Sequence, residues 1–153
     1  MAAGLVSTKV PMAEPVALKH RFEREFPINA SPRILFPYIA SPTGLAQWFC
    51  DDVQAASAQR LTMVWDQQNH YAEITAERPG RSIRYVFLDE QQQPAADADY
   101  LDLSLEASRI THEVFLRVVD YSDYRSEAEQ QELWEGLVDR LRHQVSGKAG
   151  DRR

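Results

Sequence analysis

Cysteine is almost missing from this chain. Cys50 stands alone among 153 residues, so no internal disulfide can form and no Cys-x-x-Cys or Cys/His cluster is there to hold zinc. The four histidines, His20, His70, His112 and His143, are not at metal-binding spacing, and no metal is expected. Long apolar runs are missing too. No stretch approaches the ~20 apolar residues of a membrane helix, and the opening, interrupted by Lys9, two prolines and Glu14, lacks the apolar centre of a signal peptide. Positive charge is in short supply, with 17 Lys and Arg against 23 Asp and Glu for a net charge of −6. Nucleic acid and anionic membrane are bound through clustered cations and are not expected as partners. Where basic residues gather, at Arg78, Arg81 and Arg84, they flank Pro79-Gly80, which is the chemistry of a hairpin turn. A Gly-rich phosphate loop, a dinucleotide fingerprint and a Ser-His-Asp arrangement are all lacking. No catalytic set is visible and no cofactor is implied.

What is present is ordinary globular composition, 44% hydrophobic and 26% charged. One domain is expected over 17–147, after a flexible leader at 1–16 and before a disordered tail at 148–153, in a cytoplasmic protein. Leu18, His20, Phe22, Arg24 and Phe26 alternate with Lys19, Arg21, Glu23 and Glu25, which predicts a first strand with one wet side. Ser31-Pro32 and Ser41-Pro42 each read as a helix cap followed by proline at the first helical position. Two short helices are therefore expected, the first limited by Pro37 and the second carrying Leu45, Trp48 and Phe49.

Alternating segments follow around 60–65, 71–76 and 83–88, with turns at 66–69 and 78–80 and a longer loop at 91–97. Leu101, Leu103 and Leu105 face one way, and Ile110, His112, Val114, Leu116 and Val118 form the stripe of a last strand. Strands so close in sequence favour an antiparallel meander. Ser126 and Glu129 make an S-x-x-E capping box, and Ala128, Leu133, Trp134, Leu137, Val138, Leu141 and Val145 recur at helical spacing up to Gly147. This long amphipathic helix requires an apolar surface, and a curved sheet is the available one.

Ile28-Asn29-Ala30-Ser31-Pro32, Ser41-Pro42 and Leu45-x-x-Trp48-Phe49 resemble the opening of START-like domains, including the branches related to activators of Hsp90 ATPase and to polyketide cyclases. Thr62-Met63-Val64-Trp65 and Leu133-Trp134-Glu135-Gly136-Leu137 are similar to a small bacterial START-like group. The resemblance implies an α+β helix-grip fold, in which a seven-stranded antiparallel sheet curves around the C-terminal helix and encloses an apolar cavity. It leaves function open, because one fold hosts many activities.

Within such a cavity the candidate walls are Trp48, Phe49, Trp65, Tyr85, Phe87, Trp134, Leu137, Val138 and Leu141, although each could equally be plain core. His112, interrupting an apolar stripe, is a candidate orienting or acid/base group as well as a candidate core histidine, and His20 on the Leu18/Phe22 side is read the same way. Asp51 and Asp52 are adjacent in an extended segment and point apart, so they read as a solvated strand start. The partner expected first is a small apolar or amphipathic molecule. A chaperone-accessory module with a protein partner and a cyclase-like enzyme are the alternatives.

Overall fold

The computed structural model describes residues 18–123 and 125–150. Within them the alternation of apolar and polar residues forms seven strands: β1 Lys19–Ile28, β2 Asp52–Ala55, β3 Arg60–Trp65, β4 Gln68–Arg78, β5 Ser82–Phe87, β6 Tyr100–Ala107 and β7 Val114–Asp123. Their order is β1-β7-β6-β5-β4-β3-β2 and every neighbouring pair is antiparallel. Strands β2 to β7 are thus a meander, and β1 adds to its last strand. Helices α1 Pro32–Ala40 and α2 Pro42–Leu45 follow β1, and α3 Glu127–Gly150 closes the described chain. This is the expected α+β helix-grip arrangement. The leader expected at 1–16 lies outside the described residues, and α3 continues past the boundary expected at Gly147. No helix of the described residues is long and apolar enough to cross a membrane.

One face of the sheet buries Phe22, Phe26, Ile28, Leu61, Met63, Ala72, Ile83, Tyr85, Leu101, Leu103, Leu105, Val114, Leu116 and Val118. Against that face α3 lays Trp134, Leu137, Val138, Leu141 and Val145, each fully buried large apolar side chain contributing roughly 1.5–3 kcal/mol. A register shift between Ile74 and Ala76, where β4 meets β5, puts an extra residue in one strand, the kind of bulge that bends a sheet. The capping box at the start of α3 is reciprocal, with the Ser126 N–H donating to Glu129 Oε1 (3.2 Å) and the Glu129 N–H to Ser126 Oγ (3.1 Å).

The doubled Ser-Pro works as two linked caps. Ser31 Oγ accepts from the Ile34 N–H at 3.2 Å and Ser41 Oγ from the Gly44 N–H at 3.0 Å. Ser41 also ends α1, since its N–H and its hydroxyl both donate to the Pro37 carbonyl. One residue therefore stops the first helix and starts the second. The chain folds back so tightly there that a Cβ on Gly44 would lie 2.1 Å from the Pro37 carbonyl oxygen.

Four expectations need correction. Helix α2 ends at Leu45, and Trp48 and Phe49 lie in the turn after it, where the Leu45 carbonyl accepts from both their N–H groups. Strand β7 begins at Val114 rather than Ile110. Ser108 Oγ accepts from the Ile110 and Thr111 N–H groups, and the His112 N–H donates to the Ser108 carbonyl. The segment is thereby closed into a turn, with His112 exposed in the left-handed region at φ 64° and Ile110 89% exposed. Ala128 is exposed and Leu133 is 42% exposed, while Gln130, at the same helical phase as Trp134, is buried.

Two glycine substitutions separate these constraints. Gly44→Ala forces a methyl group into backbone and should destabilise by roughly 1–3 kcal/mol or more. Gly136→Ala, on an exposed helical turn with open space around it, should stabilise by roughly 0.5–1 kcal/mol. Urea midpoints of the two variants measure the contrast.

Candidate functional site

Alternation along each strand decides what faces α3, and at one end the facing side chains do not fill the space. There the strands and helix part into a cleft of about 770 Å³. Phe49 reaches it from the turn after α2, Trp65 from the end of β3, Phe87 from the end of β5, Leu101 from β6, and Leu133, Trp134 and Leu137 from α3. The rings form one connected wall. Phe49 stacks on Trp134 with centroids 5.8 Å apart and an interplanar angle of 25°. It meets Trp65 edge-on at 5.8 Å, and Trp65 meets Phe87 edge-on at 5.9 Å. His70 lies flat against Trp65, 3.6 Å between centroids and 8° between planes. Tilted and edge-on aromatic pairs of this kind add ~0.5–1.5 kcal/mol each beyond area burial.

The polar centre of the cleft is Asp120. It continues the inward phase of Val114, Leu116 and Val118 but carries a carboxylate, and its Oδ2 accepts from Trp134 Nε1 (2.8 Å) and Gln130 Nε2 (2.7 Å). The indole and the carboxamide both come from α3, so this acid fixes the helix to β7. Gln130 is 1% exposed and its Oε1 has no hydrogen-bond partner. Outside the cleft, α3 is tied to β1. Glu127 accepts from Arg24 at 2.7 Å and lies 2.6 Å from His20 Nε2, and these contacts hold the Glu127 carboxyl below its ordinary range, His20 contributing most.

Of the expected wall residues, Phe49, Trp65, Phe87, Trp134 and Leu137 come together in the cleft. Trp48, Tyr85, Val138 and Leu141 are fully buried and do not line it. Trp48 Nε1 donates to the Tyr38 carbonyl at 2.9 Å and the Tyr85 hydroxyl to the Ile39 carbonyl at 2.6 Å, so both rings lock α1 onto the core. Burial pushes the Tyr85 phenol well above its usual pKa. His112 is exposed in the β6–β7 turn and away from the cleft, because the last strand starts at Val114, four residues later than the stripe's spacing suggested. His20 faces Glu127 on α3 rather than the cleft. Sequence reasoning missed Asp120 and His70. Asp120 had a legible signal, a carboxylate in phase with an apolar stripe.

The family model for the START-like superfamily domain matches residues 16–147. The chain belongs to the START-like superfamily. Among solved structures, protein BfR322 of Bacteroides fragilis is 28% identical, with 83% of this chain and 91% of that one covered at a TM-score of 0.56. Protein MLL2253 of Mesorhizobium loti is 18% identical, with 83% and 97% covered and a TM-score of 0.65. The Aha1 dimer of Colwellia psychrerythraea is 14% identical, with 80% and 93% covered and a TM-score of 0.64. These last two likenesses show the fold alone. Curated proteins provide no match.

The START-like chain also brings its single thiol to the cleft margin. Cys50 is buried, and desolvation together with the neighbouring Asp51 and Asp52 pushes its pKa up to about 11. Only the thiolate is a nucleophile, so this cysteine is built to be inert. Its reaction with a disulfide reagent at pH 8 in the folded protein should be at least about a hundredfold slower than in urea-unfolded chain, whose thiol has a pKa of ~8.5. Equal rates would contradict the burial.

Proposed function

We propose that this START-like protein binds a small apolar or amphipathic molecule in the cleft between α3 and the sheet, without catalysis, in the cytoplasm. The observation that carries the reading is the aromatic wall of Phe49, Trp65, Phe87 and Trp134 around about 770 Å³ of space, a volume within the ~300–1,000 Å³ of small-molecule sites. Affinity comes from apolar area removed from water, and the few polar groups orient the guest. The seat is rigid on two sides, because Trp134 is held by Asp120 and Phe49 by the capped turn after α2. Preformed walls reduce the ordering cost of binding.

Two other readings have less support. A cyclase-like activity would use His112 or an acid of the cavity; His112 stands in an exposed turn, and the cleft's Asp120 is bonded to Trp134 and Gln130 rather than to a second acid/base group. A protein-interaction role rests on likeness to the Aha1 dimer at 14% identity, which shows the fold alone.

A thermal-shift screen against lipids, sterols and aromatic metabolites tests the reading. A ligand at a hundred times its dissociation constant adds ~2.7 kcal/mol, a rise of roughly 5–11 °C for a chain of this length. Trp65→Ala should weaken a hit at least about tenfold by removing a wall, while Tyr85→Phe, in the closed core, should leave affinity unchanged. A silent screen, or a hit indifferent to Trp65, would reject the proposal.

A further inference from the structure

We propose that the guest of this cleft is a cationic amphiphile, an aromatic or aliphatic body bearing an ammonium group, with Asp120 as its counter-ion. The inference rests on the cleft being a binding site and adds the chemical class of what it binds. It starts from the hydrogen bonds around Asp120. Oδ2 is fully engaged by Gln130 Nε2 and Trp134 Nε1, which fixes the carboxylate's position and leaves Oδ1 without a partner among the described residues. Neither neighbour is charged, and no Lys, Arg or His of the described residues forms an ion pair with Asp120. Gln130 itself is buried and is not among the residues lining the cleft. Turning that amide over would set its oxygen against the carboxylate, so Gln130 serves Asp120 as a donor. Asp120 therefore brings to the cleft a negative charge with no cation paired to it and one carboxylate oxygen that the protein leaves unused. A guest with a positive, N–H-bearing head meets both needs, whereas an alcohol meets only the hydrogen bonding and a carboxylate meets neither.

The surroundings favour the same sign. Aromatic faces attract cations through the ring quadrupole, and Phe49, Trp65, Phe87 and Trp134 are the walls. At the rim stand Asp51, Asp66, Asp89, Glu90 and Asp123, against Arg125 and Arg140 as the cleft's arginines. Walls of low dielectric focus such a potential and raise the local concentration of the oppositely charged guest. The two arginines are on the α3 side of the opening and neither is paired with Asp120.

The test uses the full chain and three probes with the same ring: 1-naphthylmethylamine, 1-naphthylmethanol and 1-naphthaleneacetate, titrated calorimetrically at neutral pH and two salt concentrations. The amine should bind at least about tenfold more tightly than the alcohol, lose affinity with salt, and the acetate should bind worst. Asp120→Asn, which keeps an oxygen to accept from α3, should bring the ratio of amine to alcohol affinity from at least about ten to about one; an unchanged ratio overturns the assignment of Asp120 as counter-ion. Should that variant fold poorly, the exposed combination Asp51→Asn, Asp66→Asn and Glu90→Gln should cut amine affinity several-fold and spare the alcohol. Equal binding of amine and alcohol, or tightest binding of the acetate, overturns the cationic assignment and leaves the cleft as a site for apolar guests. Failure of all three probes together with a silent lipid and sterol screen overturns both.

Discussion

The packing of α3 into the concave face of the sheet is the constraint from which the rest of the molecule follows. Trp134, Leu137, Val138, Leu141 and Val145 point into that face, and without a partner this stripe would leave a long helix with one greasy side in water. Polar contacts set its position along the sheet. Near its start Glu127 meets His20 and Arg24, and further along Arg142 donates to the Pro27 carbonyl at 2.8 Å and 3.1 Å. The helix from Glu127 to Arg142 and the strand from His20 to Pro27 each rise about 23 Å, at ~1.5 and ~3.3 Å per residue. The two elements run side by side in the same direction with matched contacts at both ends.

That docking also explains where space is left. Toward one end the gap between helix and sheet is closed by α1 and the rings that lock it down, Trp48 and Tyr85, through hydrogen bonds to α1 carbonyls. Toward the other end neither α1 nor α2 fills the gap, and the walls are strand ends, the turn after α2 and α3 itself. Trp134 sits at the boundary, part of the core by burial and part of the cleft by position. Its N–H is held by Asp120, which places a carboxylate where an all-apolar core would have put another valine. The Gln130 Oε1, buried without a partner, carries the ~1–3 kcal/mol cost of an unsatisfied polar group.

Most of the architecture was legible in the chain because it is written in short-range chemistry. The Ser-Pro pairs, the capping box and the period-two strands depend on neighbours within a few residues, and the caps appear where their spacing put them while the strands shift only at their ends. The family resemblance carried the sheet's curvature and the helix's place, and the seven strands agree with it. The candidate site was legible in part. Phe49, Trp65, Phe87, Trp134 and Leu137 do meet, but Trp48, Tyr85, Val138 and Leu141 share their periodicity and end in solid core, because periodicity gives a face and not a depth. His112 failed for a local reason. Ser108 gathers the following N–H groups into a turn, and this cost the strand the four residues 110–113 that alternation alone had assigned to it.

The most direct measurement of the account's central claim is hydrogen exchange at the three indole N–H groups of nitrogen-labelled protein, assigned with single Trp→Phe variants. Trp134, donating to Asp120, and Trp48, donating to the Tyr38 carbonyl, should both be protected from exchange. Trp65, whose N–H has no acceptor among the described residues, should exchange quickly from an open cleft wall. Trp134 exchanging as fast as Trp65 would mean that α3 is not held on the sheet by Asp120, and the cleft as described would not exist.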